Sequence, residues 1–124
     1  MWKYCGLVRN EKDLLKALKE LNKIKKFELK TGLSLKKNEK LVAFLDIQNM
    51  LVTCEMIIKS SLFRRESRGA HYREDYPKTL NSWKKNIICY LKKYELKLIT
   101  KNVSKIPKEI KKYLNIKVEH HLLE

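Results

Sequence analysis

Residues 64–77 read Arg64-Arg65-Glu66-Ser67-Arg68-Gly69-Ala70-His71-Tyr72-Arg73-Glu74-Asp75-Tyr76-Pro77, and nothing else in the chain has this composition. Four of the chain's five Arg stand here, beside three acids, one His and two Tyr, whereas its 24 Lys are scattered throughout. Lys is a flexible, hydrated point charge suited to any wet face, and Arg is a planar fork suited to fixed geometry with carboxylates or phosphates. Charges of both signs at this density satisfy each other through bidentate pairs while the loop is partly buried. The expected network comprises Arg64, Glu66, Arg68, His71, Arg73 and Asp75 at the C-terminal end of a long helix, with Arg64 and Arg65 facing its last carbonyls. Two chemical readings compete with it, His71 as a general base and the Arg cluster as an anion site. No nucleophile or metal set lies nearby in sequence, which favours the network.

Working outward, Asn38 caps and Glu39 opens a helix that runs to Arg65. Its apolar positions (Leu41, Phe44, Leu45, Ile47, Leu51, Cys54, Ile57, Ile58, Leu62) cover more than one stripe, so it needs two packing partners. Upstream, Asn10 precedes Glu11, Lys12 and Asp13 as the cap of a helix over 11–29, with Leu14, Ala17, Leu18, Leu21 and Ile24 on one face and Lys16, Lys19, Lys23 and Lys26 on the other. Thr31-Gly32 ends it, with Gly32 as a left-handed stop. Downstream, Gly69 breaks the long helix and Pro77 closes the polar stretch. Trp83, Ile87, Leu91 and Leu98 suit a helix stripe, while Ile87-Ile88-Cys89-Tyr90 and Leu96-Lys97-Leu98-Ile99-Thr100 suit a β-hairpin. Pro107 fits the first turn of a short last helix carrying Ile110, Tyr113 and Leu114. The expected fold is mainly α: an antiparallel helical bundle of two long helices (a truncated three-helix bundle), with a small C-terminal β-hairpin and a short last helix.

At 124 residues the chain holds one small domain, 1–124, and lacks a Gly-rich phosphate loop, which excludes a complete dinucleotide fold or barrel. Cys5, Cys54 and Cys89 are odd in number and widely spaced, so neither a disulfide framework nor a CxxC metal site is expected. Trp2-Lys3-Tyr4 does not open a secretory signal. Asp46, Gln48, Asn49 and Glu55 interrupt the apolar segment 41–58, so no direct membrane insertion is expected and the chain reads as cytoplasmic. The formal charge of +15 raises nucleic-acid binding as an alternative. It is disfavoured because Lys is spread over every element while Arg is interleaved with acids. Glu119-His120-His121 lacks a third ligand at defined spacing and reads as surface tail.

The run from Arg64 to Pro77 resembles the C-terminal domain of the succinate dehydrogenase/fumarate reductase flavoprotein family, marked by Arg-x-Glu-Ser-Arg-Gly-Ala-His-x-Arg-x-Asp-aromatic-Pro. Met1-Trp2 through Gly6-Leu7-Val8-Arg9 and Leu14, Asp46-Ile47-Gln48-Asn49-Met50 through Ser61-Leu62, and Trp83-Lys84-Lys85-Asn86-Ile87 are similar to further family stretches in order and spacing. L-aspartate oxidase shares most of the run, usually with Leu at the position of Ala70, so Ala70 tilts the resemblance towards the succinate/fumarate side. The resemblance implies a parent enzyme in which hydride passes between FAD and a C4 dicarboxylate. FAD and substrate would be held by an FAD-binding and a capping domain that this chain lacks. A further partner would be an iron–sulfur subunit. No catalytic, cofactor-binding or metal residue is therefore expected here, and the chain alone is expected to be inactive. What carries over is a structural, docking motif: Arg64, Glu66, Ser67, Arg68, Gly69, His71, Arg73, Asp75 and Pro77. The resemblance also implies the hairpin over a third long helix and a helix partner that begins before Met1.

Overall fold

Helix α1 (Glu11–Lys30) begins where the Asn10 side chain takes over one of the first unpaired N–H groups. The Asn10 Oδ1 accepts from the Asp13 N–H at 2.8 Å, and its Nδ2 donates back to Asp13 Oδ2 at 3.1 Å. Side-chain capping of this kind, with Glu11 and Asp13 in the first turn, suits the positive end of a helix. A computed structural model describes residues 1–30, 38–93, 95–111 and 113. The stop at Thr31-Gly32, Leu114 and the tail at Glu119-His120-His121 lie outside those residues.

Helix α2 (Asn38–Phe63) packs on α1 through a small core of Cys5, Leu14, Ala17, Leu21, Leu51 and Ile58, with Tyr4, Leu18, Cys54 and Leu62 around it. Leu14 and Ile58 are almost wholly withdrawn from water. Each fully buried aliphatic side chain of this size contributes about 1.5–3 kcal/mol. The two helices differ in kind. On α1 the buried apolar residues Leu14, Ala17 and Leu21 form one stripe, with Leu15 and Ile24 exposed, whereas α2 is apolar all round and leaves Leu41, Val42, Leu45, Ile47, Met50, Val52 and Ile57 exposed. By length and composition Leu41–Phe63 is apolar enough to cross a membrane. Within it Glu55 pairs with Lys25 of α1 and with Lys59, one turn on.

After α2 the chain turns back. Arg68 and His71 exchange backbone hydrogen bonds (2.8 and 3.0 Å) across a tight turn whose first central residue, Gly69, has φ +56. That left-handed backbone, rather than lack of space, requires glycine, because a Cβ there would meet nothing. The returning chain places β2 (Tyr72–Arg73) parallel to β1 (Val8–Arg9), in register Val8 with Tyr72 and Arg9 with Arg73. A two-residue parallel pair between segments some 60 residues apart has no periodicity, and the sequence reading did not anticipate it.

A 3-10 turn at Asn81–Trp83 leads to an antiparallel hairpin of β3 (Lys85–Lys92) and β4 (Glu95–Asn102). Of the two readings for this region the structure adopts the hairpin. Burial alternates with period two along both strands, with Ile87, Cys89, Leu96 and Leu98 half-buried between exposed neighbours. Lys93 turns the chain at φ 49. The rings of Phe63 and Trp83 meet almost perpendicularly with their centres 5.8 Å apart, and the Cys89 Sγ lies 3.2 Å from the Ser60 Oγ on α2. The last element, α3 (Lys108–Lys111), starts from Pro107, whose carbonyl accepts from Ile110 and Lys111.

Candidate functional site

The residues of the Arg-rich run separate into two clusters. In the first, Glu66 is completely buried and takes four donors: Arg64 Nη1 (2.6 Å) and Arg68 Nε (2.8 Å) on Oε1, and Arg68 Nη2 (3.2 Å) and the Leu80 N–H (2.7 Å) on Oε2. Hydrogen bonds from Arg68, then from Leu80 and Arg64, outweigh the penalty of burial and hold its carboxyl at about 2. Both arginines reach further. Arg68 Nη2 donates to the Leu80 carbonyl, and Arg64 donates to the carbonyls of Trp83 and Lys85 with its guanidinium 5.5 Å from the Trp83 ring. One carboxylate thus ties the end of α2 to the start of the hairpin.

The second cluster joins the two helices. Arg73 is 1% exposed and forms a bidentate pair with Asp75, Nε to Oδ1 and Nη2 to Oδ2, both at 2.7 Å. Its Nη1 donates to the Ser61 carbonyl at 2.6 Å, in the last turn of α2. Asp75 Oδ2 also accepts the Glu11 N–H at 2.9 Å, in the first turn of α1. The pair therefore sets its positive member against the negative end of α2 and its negative member against the positive end of α1. The hydrogen bond from Arg73 holds the Asp75 carboxyl below its ordinary value, and Asp75 raises Arg73 in return.

Ser67 completes the loop. Its Oγ accepts the Arg73 N–H (2.9 Å) and lies within donating distance of the Tyr76 carbonyl (2.9 Å), while its own carbonyl accepts from the Thr79 hydroxyl (2.6 Å). Gly69 makes the tight turn, and Pro77 is exposed just past the turn from Arg73 to Tyr76. The expectation that Arg64 and Arg65 face the last carbonyls of α2 is corrected. The helix stops at Phe63, two residues short of the expected end, so both lie beyond it. Arg64 points to Glu66 and the hairpin, Arg65 is exposed without an ion pair among the described residues, and Arg73 occupies the helix end.

His71 is not placed to act as a base. Its Nδ1 lies 3.0 Å from Arg9 Nη1, which can only donate, so Nδ1 accepts, and Nε2 donates to the Arg64 carbonyl at 3.3 Å. Burial pushes the imidazole below its ordinary value, and the charges of Arg9, Arg64 and Arg73 push it the same way. A neutral ring with both nitrogens engaged orients its neighbours. The sequence reading left Arg9 out of this network. Its signal was available, since Arg9 is the one Arg outside the run in a chain that uses Arg sparingly.

Among the described residues no three His, Cys, Asp or Glu side chains gather to hold a metal. The β1-to-α1 junction has the strand-to-helix order of a dinucleotide cradle, yet it does not fit a pyrophosphate. Its Glu11 and Asp13 N–H groups are already taken by Asp75 and Asn10, and two acids stand in the first turn.

Residues 1–119 match the family described as fumarate reductase flavoprotein C-term. An uncharacterized FAD-dependent oxidoreductase of Methanocaldococcus jannaschii is 40% identical over 99 residues, which is 75% of this chain and 17% of that protein. A fumarate reductase (CoM/CoB) polypeptide of Methanothermobacter marburgensis is 36% identical over 71% of this chain and 16% of its own, and L-aspartate oxidase of Acinetobacter baylyi 33% over the same shares. In fold, FrdA of E. coli quinol fumarate reductase superposes on 86% of the chain and 20% of its own length, with a TM-score of 0.77 at 20% identity. Sdh1 of Mycobacterium smegmatis, in its apo form, covers 82% of this chain and 18% of its own, with a TM-score of 0.65 at 28% identity. The chain spans about a sixth of the length of the curated relatives it matches. It belongs to the C-terminal domain family of the succinate dehydrogenase/fumarate reductase flavoproteins, with L-aspartate oxidase a close relative.

Proposed function

We propose that this chain is the non-catalytic docking domain of an FAD-dependent enzyme that moves hydride between flavin and a C4 dicarboxylate. The supporting observation is the way its distinctive residues are used. Arg64, Glu66, Arg68, His71, Arg73 and Asp75 bond to each other, to helix ends and, through Arg64, to the first residue of the hairpin, so they hold shape and offer no free nucleophile or base. FAD and substrate then belong to the FAD-binding and capping domains of the enzyme, against which the run and the bare apolar face of α2 dock. In this reading α1 and α2 are two members of an antiparallel bundle whose third helix is supplied from outside, which also covers α2 without membrane insertion. A cytoplasmic location and an iron–sulfur subunit fit the same picture. Nucleic acid is disfavoured, because Lys16 and Lys23 on the outer face of α1 are paired with Asp13 and Glu20.

Two measurements test this. Purified with excess FAD and passed through gel filtration, the 124-residue chain should be colourless; stoichiometric flavin absorbance would sink the assignment. In the full-length enzyme Arg68→Lys, which keeps the charge and loses the fork that holds Glu66, should lower thermal stability or flavin retention and leave turnover of the flavin-loaded fraction near normal. Collapse of turnover with flavin content and stability unchanged would put this loop at the active site instead.

A further inference from the structure

The chain's arginines are unequally matched. Arg64 and Arg68 share Glu66, and Arg73 has Asp75. Half-buried Arg9 has no carboxylate within ion-pair distance among the described residues. Its Nε donates to the Gly6 carbonyl at 2.8 Å and its Nη1 to the Ser61 hydroxyl and His71 Nδ1, all neutral acceptors, and its Nη2 has no acceptor among the described residues. Withdrawing a charge from water is costly unless it is paired, and the three neutral contacts leave this one uncompensated.

Arg9 lies on the wall of an open groove of about 630 Å³ between α2, β3 and the Arg-rich run. Ser60 and Asn86 add neutral polar groups to the wall, Met56, Ile57 and Ile87 form an apolar strip, and no described acidic side chain lines it. The combination of an uncompensated guanidinium and an apolar strip suits a carboxylate carried on a polypeptide. A small free anion would satisfy Arg9 and leave the strip in water. A source is at hand, since the stretch matched to this chain is only 16–17% of each relative's own length.

We propose that the groove between α2 and β3 receives an aspartate or glutamate side chain from the FAD-binding portion of the enzyme, paired with Arg9. The proposal rests on the docking reading above and names the chemistry by which the docked portion is recognised.

The test uses the full-length enzyme carrying Arg9→Lys and a water-soluble carbodiimide, which joins an amine to a carboxylate in contact with it. Peptide mapping should find position 9 joined to an Asp or Glu outside residues 1–124, alongside the internal Lys25–Glu55 link as a control. The control link with no adduct at position 9, or an adduct only to an acid within 1–124, overturns the proposal. Arg9→Gln supplies a second readout, because its neutral contacts within the chain are lost whether or not a carboxylate docks. The free energy of opening of this domain, read by native-state hydrogen exchange, should therefore fall further in the assembled enzyme than in the 124-residue chain, and the excess should shrink as salt is raised. Equal falls overturn the proposal. Succinate at millimolar concentration is the remaining arm: if it stabilises the isolated chain and Arg9→Gln abolishes the effect, the occupant is a free dicarboxylate and the choice of a side chain is wrong. A full-length protein that purifies without FAD overturns the flavoprotein reading, whereas a flavin-loaded enzyme lacking the cross-link overturns the groove alone.

Discussion

The two ends of α2 are held by opposite means. In its C-terminal half Leu51 and Ile58 sit in the core, Arg73 donates to the Ser61 carbonyl, and Glu66 and Arg64 fasten the following residues to Leu80 and to the start of the hairpin. Towards its N-terminal end Leu41, Val42, Leu45 and Ile47 stand in water. The difference teaches that a charged stretch can be the more fixed part of a small domain. Polar groups with every partner in place leave little freedom, while apolar side chains without a partner surface fix nothing. Of those four exposed residues, Leu41, Val42 and Leu45 share one side of the helix, and exposed apolar neighbours of this kind mark a place where something binds.

The comparison is most easily broken at Glu66. Glu66→Ala leaves Arg64 and Arg68 without their carboxylate and frees the Leu80 N–H, and should destabilise the chain by about 3–5 kcal/mol in denaturant unfolding. A loss below about 1 kcal/mol would mean that the network behaves as an ordinary surface pair. Next comes Ile58→Ala, where a cavity at a residue 1% exposed should cost about 2–4 kcal/mol.

Acid should act on the polar end first. The folded state holds the Glu66 carboxyl at about 2 against an ordinary 4.5, so as pH falls the unfolded chain takes up the proton first and stability drops between those values. The slope approaches about 1.4 kcal/mol per pH unit, and Glu66→Gln should flatten it. His71, held neutral below its ordinary 6.5, gives a gentler loss of the same sign as pH falls below that value, and His71→Gln should remove it. Melting temperatures across pH 7 to 2.5 for the chain and both variants check the two limbs.

The smallest effect is expected at the other end. Leu45 is 50% exposed, so Leu45→Gln should move the isolated chain by less than about 0.5 kcal/mol. The same change in the full-length enzyme should weaken assembly, seen as flavin loss on dilution. Equal, negligible effects in both settings would mean that nothing covers this face.

Local rules made much of the molecule legible. Asn10 with Asp13 announces a helix start because a side-chain amide can replace a missing backbone partner, and the single apolar stripe of α1 needs no more than its own period. The concentration of Arg among acids marked the ion-paired stretch, because planar donors are economical only where geometry is fixed. The hairpin was half legible: Ile87, Leu91 and Leu98 also fit a helix stripe, and alternating burial against α2 settled the matter.

The rest belonged to long-range contacts. By itself the sequence determined where helices begin, which residues are apolar and where charge is dense, since each depends on neighbours a few positions away. It did not determine that Arg73 rather than Arg64 or Arg65 meets the end of α2, that Asp75 meets the start of α1, or that Arg9 joins His71. Those pairings depend on the turn at Gly69 carrying the chain back beside Val8–Arg9, and a hydrogen bond forms only where the fold brings donor and acceptor within about 3 Å.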